Sequence, residues 1–85
     1  MTKYQVVFSN SAQKQFDKLP SNIQKVIILS ASELVLNPRP YGYKKLRDFD
    51  VYRVRAGNYR ILYEIHDSIL MIRVLKLGHR KDVYQ

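Results

Sequence analysis

The sequence predicts a small α+β domain in the order β-α-α-β-β-β, its antiparallel sheet covered on one face by two N-terminal helices. Three observations lead there. Apolar residues recur at helical spacing through the N-terminal half. Two alternating, β-rich runs flank Gly57-Asn58, a two-residue hairpin signal. A length of 85 residues suffices for one core, burying about 60 to 65 per cent of the surface the unfolded chain would expose. Residues 1–85 are therefore read as a single domain.

Tyr4 to Phe8 is a short β-rich run. Ser9, Asn10 and Ser11 then offer N-caps, with Gln13 at capping-box distance from Asn10. The first helix follows: Ala12, Phe16 and Leu19 form an i, i+4, i+7 stripe, and Pro20 ends it. A second helix from about Ser21 carries Ile23, Val26, Ile27 and Leu34, widened by Ile28, Leu29, Val35 and Leu36, and stops at Asn37-Pro38. So wide an apolar arc is expected to sink the helix between its predecessor and the sheet; the alternative is a leftover strip that meets a partner. Pro38 and Pro40 stiffen the loop to Gly42, which delivers Tyr43, Lys44, Lys45, Leu46 and Arg47 to the start of the sheet. Lys44, Lys45 and Arg47 read either as a solubilising rim or as a phosphate-positioning patch.

With Gly57 and Asn58 at the hairpin tip, Ala56 lies opposite Tyr59, Arg55 opposite Arg60, Val54 opposite Ile61, and Arg53 opposite Leu62. Opposed residues share a face and faces alternate along a strand. One side then carries Tyr52, Val54, Ala56, Tyr59, Ile61, Tyr63 and Ile65, which is a core face. The other carries Arg53, Arg55 and Arg60. Like charges directly opposed are unfavourable, so this side reads as shaped for an anion, a solvated basic face being the alternative. A second turn at Asp67-Ser68 would set Ile65 against Leu70, Tyr63 against Ile72, Ile61 against Val74 and Arg60 against Leu75. Arg73 then falls on the cationic side, where Glu64 is expected to pair with it, the alternative being that Glu64 orients an arginine or acts as a base. A one-residue slip would bury arginines, which argues against it.

Composition limits the function. A formal net charge of +8 points to an acidic partner, nucleic acid or acidic protein. The lack of cysteine excludes a disulfide framework and a thiolate metal site. Neither a metal nor any other cofactor is expected. The opening residues have too short an apolar run for a signal peptide, and no stretch reaches membrane-spanning length. A soluble cytoplasmic protein is the expectation. His66 reads as a turn residue, and His79 lies on the order of 30 Å away along the next strand. The two cannot act on one phosphate as acid and base, and His79 alone remains a candidate.

The string YRVRAGNYRILYEI, the apolar strand after it and the closing GHRKDVY, with the FSNSAQKQFDKLP opening, the helix pair and the Pro40-to-Leu46 passage, resemble the RelE/ParE superfamily of bacterial toxin components across essentially the whole chain. The RelE-like branch implies a ribosome-dependent endoribonuclease that cleaves mRNA and so inhibits translation. Position by position, it implies basic residues at Arg53 and Arg55 before the turn, Arg60 after it, Arg80 beyond the last strand and Tyr84 near the end; His79 falls where relatives are basic. It also implies a cognate antitoxin, the ribosome with its mRNA as partner, no membrane, and operator DNA bound by the toxin-antitoxin complex through the antitoxin. Two alternatives stay open: a ParE-like DNA gyrase inhibitor without catalysis, and a small basic nucleic-acid-binding regulatory module.

These residue types suit metal-independent attack by a 2′-hydroxyl, which needs a base, a stabilised phosphorane and an acid for the departing 5′-oxygen. Planar guanidinium forks grip phosphate oxygens at two points and keep their charge at physiological pH, as Arg53, Arg55 and Arg60 would. That same high pKa suits Arg80 to charge stabilisation, the leaving-group role being implied by the resemblance; His79 is the other candidate acid. Tyr84 becomes a base if neighbouring arginines favour its phenolate. Tyr52, Tyr59 and Tyr63 are expected in the core, whereas Tyr41 and Tyr43 are less constrained.

Overall fold

A computed structural model describes residues 3–46 and 50–79. Strand β1 (Gln5–Phe8) leads into helix α1 (Asn10–Asp17) and helix α2 (Ser21–Leu36). Four strands follow: β2 (Lys44–Lys45), β3 (Tyr52–Ala56), β4 (Tyr59–His66) and β5 (Met71–His79). They form one sheet in the order β1-β5-β4-β3-β2, antiparallel from β2 to β5, with β1 parallel to β5. The short β2 is an addition to the expected order, and its residues are the start of the sheet that the proline loop was expected to deliver.

The β3–β4 register is the expected one, from Ala56↔Tyr59 through Arg55↔Arg60 to Tyr52↔Tyr63. Gly57 takes φ +63 at the first turn position while Asn58 stays at negative φ, the pattern of a type II′ turn. A side chain at Gly57 would meet only ordinary contact with Val26, so the turn's φ is what calls for glycine.

The β4–β5 register departs from expectation in two steps. The turn is longer than Asp67-Ser68: a 3₁₀ segment Asp67–Ile69 is closed by Leu70 at φ 51, which pairs Ile65 with Ile72 and Tyr63 with Val74. His66 is accordingly the last residue of β4, opposite Met71, rather than part of the turn. Then the register shifts between Leu62 and Tyr63: Leu62 pairs with Lys76, Ile61 with Leu77 and Arg60 with Gly78. Leu75 is the extra residue of a β-bulge. The core positions of β5 run Ile72, Val74, Leu77, all buried, and Lys76 is turned to the opposite face.

Helix α1 satisfies the polar groups that the bulge leaves over. Ser9, the N-cap, accepts from the Ala12 N–H at 3.0 Å and donates its hydroxyl to the Leu75 carbonyl at 3.0 Å. The Gln15 side-chain carbonyl accepts from the Leu77 N–H at 2.8 Å. The cap is thus Ser9, and Gln13 bonds Asp17 instead of closing a capping box on Asn10. Ser9→Ala removes both a cap and a bulge contact; a loss of about 1–2 kcal/mol is expected, read as a lower urea midpoint at unchanged m-value.

The core joins Ala12, Ile27 and Leu34 from the helices to Val54, Ala56, Ile61, Tyr63, Ile72, Val74 and Leu77 from one sheet face. Helix α2 is not sunk. Its inner side buries Ile27, Ala31 and Leu34, but Ile28 and Leu29 are 48% and 66% exposed and, with Phe16, line an apolar groove. Among the described residues the helices cover one side only, and the covering layer has no third element to take the wide arc. Among the described residues, no helix is long and apolar enough to cross a membrane.

Candidate functional site

The sheet face opposite the helices holds a groove of about 280 Å³ lined by Gly42, Lys44, Arg53, Arg55 and Arg60. Two cation pairs build it. Lys44 of β2 is directly opposite Arg53 of β3, and Arg55 of β3 is directly opposite Arg60 of β4. Opposed residues lie about 5 Å apart at Cβ and the pairs are one two-residue step, about 7 Å, apart along β3. None of the lining residues is acidic. Four cations gathered so closely raise the local potential and favour an anion with several oxygens, such as a phosphodiester.

Arg60 differs from its neighbours. It lies on the cationic face, but at 3% exposure it is buried, not displayed, whereas Arg55 is exposed and Arg53 half-buried. A guanidinium held in the floor of the groove acts in a lower dielectric than one at the surface, where the same charge is worth more. Lys45 points elsewhere: it is opposite Tyr52, on the helix side, and its ammonium is 3.3 Å from the Asp50 carboxylate. His79 is opposite Tyr59 and meets that ring edge-on at 5.6 Å, so the register puts it on the Tyr59 side of the sheet rather than beside Arg60. Arg47, Arg80 and Tyr84 lie outside the described residues.

Glu64 bonds the His66 ring at 3.0 Å and stands 3.9 Å from Arg73, its directly opposed residue on β5. It is a partner of surface charges on β4 and β5, away from the groove. Tyr63 is fully buried, donating its hydroxyl to the Pro38 carbonyl at 2.7 Å, and burial pushes its pKa well above the ordinary tyrosine value. Tyr52 and Tyr59 are partly buried against the core.

The loop that forms the groove's rim is tied down from three sides. Arg39 pairs with Asp67 at 3.0 Å and lies over the Tyr52 ring, Tyr4 donates to Asp67 at 2.6 Å, and Tyr63 holds Pro38. The Arg39 hydrogen bond, then that of Tyr4, holds the Asp67 carboxyl below its ordinary pKa. A carboxyl depressed in the folded state adds stability above its unfolded pKa and loses it as pH falls through the folded one. The melting temperature of the protein should therefore exceed that of Asp67→Asn at neutral pH, with the difference vanishing on acidification below the carboxylate range.

Two residues of this region escaped the sequence reading. Lys76 joins the cationic face only because of the bulge; the spacing of Ile72, Val74 and Leu77 was its one signal. Gly42, at φ +89, is the third residue of a turn closed by the Tyr43 N–H donating to the Pro40 carbonyl at 3.0 Å, a type II turn. Tyr-Gly after proline was its signal.

A five-stranded sheet with two helices on one face and a cationic groove on the other defines a small basic α+β domain suited to an anionic partner. The chain belongs to the RelE/ParE superfamily of type II toxin-antitoxin toxins: the family described as "ParE toxin of type II toxin-antitoxin system, parDE" matches residues 6–84. It is 31% identical over 84 residues to Toxin RelG of Mycobacterium tuberculosis, covering 96% of this chain and 97% of that one. It is 36% identical over 85 residues to Toxin RelE3 of Methanocaldococcus jannaschii, covering 93% of each. Its fold matches the toxin-antitoxin complex RelBE2 of M. tuberculosis with a TM-score of 0.83 at 31% identity, over 92% of this chain and 99% of that one. The chain is thus the toxin of a toxin-antitoxin system.

Proposed function

We propose that this toxin is a ribosome-dependent endoribonuclease that cuts mRNA by metal-independent attack of a 2′-hydroxyl, and so stops translation. The groove with its two opposed cation pairs carries this reading. In the reaction the 2′-oxygen forms a bond to phosphorus, the bond from phosphorus to the 5′-oxygen breaks, and the non-bridging oxygens gain charge on the way. Arg55 and Arg60 grip those oxygens, and Lys44 and Arg53 neutralise the phosphate on the approaching side. Lys76, on the same sheet face, and Arg47 are the further cations proposed to meet the RNA, whereas Lys45, on the helix side, is not among them. Tyr84 is the proposed base and Arg80 the proposed donor toward the leaving oxygen; His79, on the Tyr59 side of the sheet, does not share the Arg60 face. His79, the last described residue, is opposite Tyr59 at the start of β4, one residue from Arg60. So small a domain orients RNA poorly alone, and the ribosome supplies the positioning.

In the cytoplasm a cognate antitoxin would hold the toxin inactive by masking the cationic groove, and the complex would bind operator DNA through the antitoxin. Supporting this, similar toxins have been solved with their antitoxins, the RelBE2 complex among them.

The matching family is described by its ParE members, which favours a second reading: a DNA gyrase inhibitor without chemistry of its own. Induced expression in cells separates the two. Rapid translation arrest with cut messages is expected; DNA damage with intact messages would establish the gyrase reading instead.

A further inference from the structure

Beside the phosphate groove lies a second, smaller cavity of about 140 Å³, and the two share Gly42 and Arg55. Tyr41, the corner residue of the type II turn, is one of its lining residues, and at 106% exposure it is fully open to solvent. An apolar ring held entirely in water has no packing role, and the turn that carries it is stiffened by prolines on both sides of Arg39 and clamped by the Arg39–Asp67 pair. A ring so placed is presented at little further cost in ordering. Buried Leu34 gives the cavity an apolar wall, and Ser30 and Glu33 offer hydrogen-bonding groups. The volume is that of one six-membered ring, since a cavity of about 150 Å³ holds a benzene. A Cβ built on Gly42 would meet nothing within 4 Å, so it is the φ of +89 and not a close contact that calls for glycine where the groove and the cavity adjoin.

We infer that Tyr41 and the Glu33 cavity form a nucleobase subsite, which takes the base of the nucleotide next to the phosphate held by Arg55, and which prefers cytosine. The base stacks on Tyr41, as single-stranded nucleic acid does on exposed aromatic rings. Glu33 accepts a hydrogen bond from the exocyclic amine of cytosine, a group that uracil lacks. A pyrimidine fills a space of this size, whereas the second ring of a purine would have to project from its open mouth. This inference rests on the proposed action on RNA.

The test is cleavage of a defined message in a reconstituted translation reaction, with every cut site mapped. Tyr41→Ala should raise KM roughly 5- to 100-fold, the range of one lost stacking contact, with kcat little changed, and Tyr41→Phe should restore most of it. Cuts by the unaltered toxin should be enriched beside cytosine, and Glu33→Ala should erase that enrichment. Equal cleavage by Tyr41→Ala, or Tyr41→Phe as impaired as the alanine variant, would overturn the stacking subsite while the nuclease stands. Cut sites indifferent to the neighbouring base would overturn the role of Glu33. No cleavage by the unaltered toxin would overturn both the subsite and the nuclease.

Discussion

Arg60→Ala is expected to lower mRNA cleavage by about 10²- to 10³-fold, the usual loss when one preorganised group facing a transition-state charge is removed. Arg60 is the most buried member of the groove, at 3% exposure, and its backbone is held in β4 between Arg55 and Gly78 on the neighbouring strands. Its charge is therefore aimed before substrate arrives. The loss should fall on kcat and kcat/KM together, because the phosphorane carries more charge than the ground-state diester. Arg60→Lys keeps the charge but loses the fork, so an intermediate defect is expected. Far-UV circular dichroism and the melting temperature of both variants would show whether the fold survives, and single-turnover cleavage would show the chemical defect. Full activity of a folded Arg60→Ala protein would remove the groove from the mechanism.

The second large effect concerns stability. Ile61→Ala is expected to cost about 2–5 kcal/mol, a large share of the few kcal/mol by which a domain of this size is stable. Ile61 is fully buried and directly opposite Val54 on one neighbour and Leu77 on the other, immediately beyond the bulge. Truncating it opens a cavity where three strands meet, and the bulge, already held by Ser9 and Gln15, cannot collapse into it freely. Urea denaturation monitored by tyrosine fluorescence would measure the loss. A cost under 1 kcal/mol would mean that this part of the sheet repacks.

The sequence made the hairpin around Gly57-Asn58 readable because three independent signals agree: a turn glycine, strict alternation, and arginines that only one register keeps off the core. The arginine cluster was therefore placed on the right face. That Arg60 is buried within that face was not readable, since alternation tells which side a residue takes and not how deep its neighbours leave it. The β4–β5 pairing was misjudged for a definite reason. Asp67-Ser68 resembles a two-residue turn, but Leu70 adopts the left-handed conformation with no glycine to announce it, and a bulge at Leu75 then changes the parity of Lys76 and Leu77. Both depend on tertiary contacts: the bulge's leftover groups are met by Ser9 and Gln15, more than sixty residues away in sequence. The helix pair was legible from its stripes. The exposure of Ile28 and Leu29 was not, because periodicity shows the width of an apolar arc and not whether the fold has enough layers to cover it.

The central claim is that four cations around one phosphodiester support attack by the adjacent 2′-hydroxyl. Its most direct test is the chemistry of the cut ends, read by sequencing or mass spectrometry of message fragments produced by the purified toxin on translating ribosomes. Attack by the 2′-oxygen leaves a 2′,3′-cyclic phosphate, or its opened 2′- or 3′-monophosphate, on one fragment and a 5′-hydroxyl on the other, and these are the expected ends. Fragments ending in a 3′-hydroxyl and a 5′-phosphate would show that water attacked instead, and would contradict the mechanism.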